Sequence, residues 1–163
     1  MKTLLVVYHS MTGGTRQMAE ALAAGARQEA ATETLLLHAA SALPEHVIGA
    51  QGYVFATPEN LAAMSGVMKD FFDRCYYPAL DRINGRPYVT LICAGSDGSN
   101  AARQIERIAT GWRLRQVAET LIVRTGAQTP EAILAQKRIT PADRARCHEL
   151  GLLIASGIAL GIY

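Results

Sequence analysis

Five short aliphatic runs, near residues 3–8, 33–38, 52–56, 87–93 and 120–124, alternate along this chain with segments of helical character. They are apolar at consecutive positions, as in Leu4-Leu5-Val6-Val7, and rich in Val, Ile and Leu. Such strands need cover on both faces, and parallel strands joined by helical crossovers supply it. The chain has 163 residues, half of them hydrophobic and only 18% charged. That composition excludes a disordered chain and allows a substantial core without disulfides or metal. With no internal repeat and no low-complexity linker, residues 1–163 read as a single domain.

The turn after the first run carries the chemistry. Leu4 to Tyr8 breaks into His9-Ser10-Met11-Thr12-Gly13-Gly14-Thr15, and a helical pattern follows over about 14–29, with Met18, Ala21, Leu22 and Gly25 on one stripe. The first amides of a helix lack internal partners and carry the positive end of its dipole, so an anion satisfies both. Ser10, Thr12 and Thr15 add hydroxyls, while Gly13 and Gly14 let the backbone close around a small ligand. Neither the Lys-Ser/Thr pair of a triphosphate loop nor the GxGxxG spacing of a dinucleotide turn is present. Neutral hydroxyls and amides suit a single terminal phosphate monoester; an ordinary strand-to-helix turn with Thr15 near the cap is the competing reading.

The motif Ser10-x-Thr12-Gly13-x-Thr15 after an N-terminal strand resembles the FMN phosphate loop of flavodoxins and flavodoxin-like NAD(P)H-dependent oxidoreductases. A second stretch strengthens the resemblance. Pro58-Glu59-Asn60, through Met64-Ser65-Gly66-Val67-Met68-Lys69-Asp70-Phe71-Phe72-Asp73-Arg74, looks like that family's flavin-flanking segment and following helix. Family members often carry an aromatic residue shortly after the proline, where this chain has Glu59 and Asn60. The implied fold is a flavodoxin-like, doubly wound five-stranded parallel sheet of order 2-1-3-4-5 in a three-layer α/β/α sandwich. Its ligand lies beyond the carboxyl ends of strands 1, 3 and 4. Further helices are expected over about 66–75 and 100–110, with a last one beginning at Thr140-Pro141. The connection 39–50 reads as weak and irregular.

What the residues exclude points the same way. Cys75, Cys93 and Cys147 are odd in number and widely spaced, giving neither a disulfide framework nor a metal site. None has Arg at the Cys-x5-Arg distance of a low-molecular-weight phosphatase, and the carboxylates of a magnesium-binding receiver domain are missing after strands 1 and 3. A net charge of +2 without a Lys/Arg run gives no nucleic-acid groove. It also lacks the acidic face of a dedicated electron carrier. No apolar stretch is long enough to cross a bilayer, and no signal peptide is evident, so a cytoplasmic setting is expected.

The resemblance therefore implies an FMN-dependent oxidoreductase, with NAD(P)H as donor and a small acceptor such as a quinone or free flavin. No side chain is expected to act as a catalytic nucleophile, since hydride passes between two rings that the protein positions. The implied FMN contacts are Ser10, Met11, Thr12, Gly13, Gly14 and Thr15 for the phosphate. Pro58, Glu59 and Asn60 are assigned to one side of the ring, and Gly95, Ser96, Asp97 and Gly98 to the other. Two alternatives stand beside this reading: a flavodoxin-type electron carrier without substrate turnover, and a domain that has lost its flavin. The last helix, with Leu150, Leu153, Ile154, Ile158 and Ile162 and with Gly157 and Gly161 permitting close approach, admits either a homodimer or burial against its own sheet.

Overall fold

The computed structural model describes residues 1–163. Its elements in chain order are β1 (Lys2–Tyr8), α1 (Gly14–Ala26), β2 (Thr32–His38), α2 (Pro44–Gly49), β3 (Gly52–Asn60), β4 (Ala63–Met64), α3 (Gly66–Ala79), β5 (Pro87–Ala94), α4 (Ser99–Gly111), β6 (Arg115–Gln116), β7 (Leu121–Arg124), α5 (Pro130–Leu134) and α6 (Pro141–Leu160). The sheet runs β2-β1-β3-β5, and its outermost position is split: β6 pairs with the start of β5 and β7 with its end. Every pairing is parallel except the short β3–β4 hairpin. The expected order 2-1-3-4-5 is therefore present. Seven strands replace five because β4 is a two-residue hairpin arm and residues 117–120 interrupt the last strand.

Strand alternation distributes the apolar runs between two cores. Leu5, Val7, Tyr53 and Phe55 face one way, toward α2, α3 and α4, where Phe55, Phe71, Phe72 and Trp112 form an aromatic cluster with Phe55 and Phe72 centroids 4.9 Å apart. Leu4, Val6, Val54 and Leu91 face the other way, toward α1 and α6. The connection 39–50, expected to be irregular, contains α2, whose Pro44 sits in the first turn. The last helix does start at Thr140, whose hydroxyl accepts from Asp143 N at 3.1 Å.

One expectation is corrected. Gly157 and Gly161 do not serve a helix–helix approach: the ring of Tyr163 fills the space beside Gly157, and Gly161 ends α6 with φ +69°. The close approach lies at Gly25 and Gly151, where a Cβ would overlap the carbonyl oxygens of His148 and Leu22 respectively. α1 and α6 thus cross nearly backbone to backbone, which anchors the helix whose first turn follows β1. Gly25→Ala is expected to destabilise the chain by about 2 kcal/mol, the overlap outweighing a helix-propensity gain of at most about 1 kcal/mol. Urea unfolding of the two proteins measures it.

Candidate functional site

Two helices begin at the carboxyl edge of the sheet with the same local geometry, and their N-termini differ in what occupies them. Gly13 caps α1 and Gly98 caps α4, both with φ +89° and ψ −11°, a left-handed conformation that glycine reaches without strain. Neither uses its own side chain as a cap, and neither has an acidic residue in its first turn.

At α4 the anion comes from elsewhere in the chain. The Glu59 carboxylate, at the end of β3, accepts from Gly98 N at 2.8 Å and from Ala101 N at 3.0 Å. A charged acceptor on orphan amides at the positive end of a helix is a strong arrangement. The Glu59 side chain is thus committed to α4, and only its backbone remains for a ligand. Glu59→Ala is expected to destabilise the chain by about 1–3 kcal/mol, and Glu59→Gln by less, because the amide oxygen retains one acceptor without the charge. Thermal unfolding of the wild type and both variants checks the order.

At α1 no such carboxylate arrives. Ser10 Oγ accepts from Gly13 N at 3.1 Å, bracing the turn. Thr15 is 1% exposed, yet its hydroxyl has no partner. A buried hydroxyl without a hydrogen bond is unfavourable, and this one, in the first turn of a helix with no internal anion, is free to donate to an external acceptor. His9 Nδ1 is likewise buried without a partner. Its ring packs edge-on to His38 at 5.5 Å. Burial first, and the charge of His38 second, pull the His9 pKa below its ordinary 6.5, which leaves the ring neutral at neutral pH.

Of the other sequence-predicted segments, the end of β3 meets this turn directly, and the 95–98 turn joins the end of β3 through Glu59. Asn60 Nδ2 donates to Met11 Sδ at 2.9 Å, joining the end of β3 to the first loop. Asn100 Nδ2 donates to Ala62 O at 2.5 Å, joining α4 to the β3–β4 hairpin. Asp97 makes a local turn, accepting from Ser99 N and from Ser99 Oγ at 2.7 Å; these bonds, side chain first, hold its carboxyl below the usual carboxylate range. Ser96 is exposed. Pro58 lies in the β3–β5 ladder opposite Cys93, and Gly95 lies against Ala127, whose oxygen would be 2.7 Å from a Cβ there. The thirteen predicted residues therefore lie at the end of β3, in the turns after β1 and β5, and in the first turn of α1, all on the carboxyl edge of the sheet.

The hairpin tip adds a residue the sequence reading passed over. Leu61 and Ala62 have φ of 50° and 60°, the geometry of a two-residue turn that Asn-Gly normally fills. A β-carbon makes that conformation strained, and strain of this kind concentrates at ligand sites. Leu61 is fully exposed and Met11 is 64% exposed, so the Asn60–Met11 contact includes one exposed apolar side chain and is followed in the chain by another.

Also unforeseen is the excursion between β7 and α6. Gly126 N donates to Gly95 O at 2.8 Å, and Lys137 N donates to Thr12 O at 2.8 Å, so the segment runs from the 95–98 turn to the first loop. Its helix α5 begins Thr129-Pro130-Glu131, a capping residue, a first-turn proline and an acidic residue, which is a legible start signal. Nothing local reveals that it returns to residue 12.

The donor set at the first loop, with amides, hydroxyls and no fixed negative charge, suits a phosphate monoester. Thr15→Val, which keeps the shape and removes the orphan hydroxyl, is expected to stabilise the ligand-free chain by up to about 1 kcal/mol. Chemical denaturation without flavin measures this.

Similarity to known proteins agrees with this geometry. A family model described as NADPH-dependent FMN reductase matches residues 37–128. A flavodoxin of Aquifex aeolicus is 38% identical over 86 residues, covering 53% of this chain and 46% of that one. An NAD(P)H dehydrogenase (quinone) of Acidithiobacillus ferrooxidans is 35% identical over 45% of this chain and 47% of its own length. The chain spans about half the length of these curated relatives. Among solved structures, a flavodoxin from the domain Archaea superposes with a TM-score of 0.77 at 18% identity over 96% of this chain and 98% of its own. A flavodoxin, WrbA-like protein from Agrobacterium tumefaciens gives 0.70 at 20% identity over 98% and 99%. These likenesses establish the flavodoxin-like fold.

Proposed function

The chain belongs to the NADPH-dependent FMN reductase family, and from that premise we propose that it is an oxidoreductase that takes hydride from NAD(P)H through FMN and delivers electrons to a small acceptor such as a quinone or free flavin. The observation that carries this reading is the open N-terminus of α1, with the buried, unpartnered Thr15 hydroxyl in its first turn, set beside two ligand-type loops. FMN, when bound, supplies the two-electron chemistry.

The chain's own residues bind and orient. Ser10, Met11, Thr12, Gly13, Gly14 and Thr15 surround the phosphate monoester through amides and hydroxyls. Backbone groups of Pro58, Glu59 and Asn60 and of the Gly95-Ser96-Asp97-Gly98 turn border the ring. The capping bonds of Glu59 hold those two borders at a set spacing, since one carboxylate grips the first turn of α4 from the end of β3. The exposed apolar side chains of Met11 and Leu61 offer a surface to a flat ring and exclude water from its edge.

A second reading, an electron carrier without turnover of its own, is favoured by the flavodoxin match. The net charge of +2 weighs against it, because docking on basic partners relies on an acidic face. Anaerobic mixing of the FMN-loaded protein with NADPH and then NADH separates the two. Direct bleaching of the flavin band near ~450 nm is the expected result. Reduction by a reductase protein but by neither nucleotide would establish the carrier instead. Thr15→Val, stabilising to the empty chain, is expected to weaken FMN by about tenfold or more, as loss of a charge-assisted hydrogen bond requires.

A further inference from the structure

We propose that the phosphate site has a further wall contributed from the far end of the chain, in which the Gln136 carboxamide donates to the phosphate monoester and Gln17 holds it in place. The proposal rests on the FMN reading above and adds residues outside the motif that suggested it.

Gln136 lies far beyond the first loop in the chain, yet its Nε2 would be 2.6 Å from a Cβ on Gly13, the residue that caps α1. The side chain is exposed and makes no hydrogen bond within the chain. A free NH2 donor therefore stands against the turn whose amides and Thr15 hydroxyl are also without an anion. Glycine at 13 leaves the room: any larger residue there would displace the carboxamide as well as strain the backbone at φ +89°.

The segment bearing Gln136 is fastened on both sides of it. Lys137 N donates to Thr12 O at 2.8 Å. Gln17, in the second turn of α1, donates through Nε2 to Gly13 O at 3.0 Å and to Lys137 O at 2.8 Å. Its Oε1 accepts from Ile139 N at 3.0 Å and from Arg144 Nη2 at 2.8 Å. One side chain thus ties α1, the first loop, the returning segment and α6 together. Upstream, Lys137 Nζ gathers the Ala132, Ile133 and Ala135 carbonyls at the end of α5, so the short helix cannot swing independently. A neutral donor placed by such bracing costs little ordering when the anion arrives.

The wall is specific for phosphate, so its loss separates FMN from riboflavin, which shares the ring and lacks the monoester. Flavin-free protein is titrated with each, following quenching of flavin fluorescence. Gln136→Ala is expected to raise the FMN Kd about tenfold and leave riboflavin within about twofold. Gln136→Glu, which sets a carboxylate against the phosphate, is expected to raise the FMN Kd further, to about a hundredfold. Because Gln136 is exposed and unbonded, both variants keep the wild-type melting temperature. Gln17→Ala is expected to lower the FMN-to-riboflavin preference, and the Gln17→Ala, Gln136→Ala double variant to lose no more than Gln17→Ala alone, since one residue acts through the other. Unchanged FMN affinity in both Gln136 variants, or equal losses for FMN and riboflavin, would overturn the proposal while leaving the cofactor assignment intact. A wild-type chain that binds neither flavin would overturn that assignment and this wall with it.

Discussion

The Glu59 carboxylate lying across the first amides of α4 is the contact on which the geometry of the carboxyl edge depends. Two glycine-capped helices of identical opening geometry start there, and each presents the same attraction for an anion. An internal carboxylate satisfies α4, so that helix start becomes a structural joint between β3 and the 95–98 turn. The N-terminus of α1 has no such neighbour and keeps its binding capacity. The difference between the joint at α4 and the proposed phosphate site at α1 is thus one side chain reaching across from an adjacent strand.

Around that joint the loops close into a circuit. Asn60 reaches Met11, Glu59 reaches Gly98, Gly126 reaches Gly95, and Lys137 returns to Thr12. Each link uses a backbone group or a short polar side chain, and the whole rests on helices whose positions are set by the two cores beneath. Hydrophobic burial places the edge; hydrogen bonds of modest net strength then decide which amides are used and which stay free. The bare Gly25–Gly151 crossing belongs to the same logic, because it draws α1 against α6 and so fixes the angle at which α1 presents its first turn.

Much of the architecture was readable along the chain. Doubly apolar runs such as Leu4–Val7 demand cover on two faces, and their alternation with helices gives a parallel sheet whose order the family resemblance implies; Thr140-Pro141 announces α6 through local chemistry alone. The β3–β4 hairpin escaped notice because Leu61-Ala62 lacks the Asn-Gly signal that its backbone conformation normally requires. Glycines at 157 and 161 suggested a helix contact, yet their neighbours are Tyr163 and a helix end, relations that no spacing rule encodes. Among loop residues, Glu59 was legible as a member of the edge, while the direction of its side chain was not, since the partner amides lie about forty residues away.

The sequence by itself determined the layering and the placement of a hydroxyl- and glycine-rich turn at the head of α1, because these follow from local periodicity, apolar patterning and backbone preference; the strand order was implied by the resemblance to flavodoxin-like proteins. Only the tertiary structure decided which of two equivalent helix N-termini remains open and which residues beyond position 120 stand over it. Those outcomes are set by side chains meeting across the fold, where Glu59 finds α4 and Gln17 and Gln136 find Gly13. Long-range contacts of that kind carry no periodic trace in the chain that makes them.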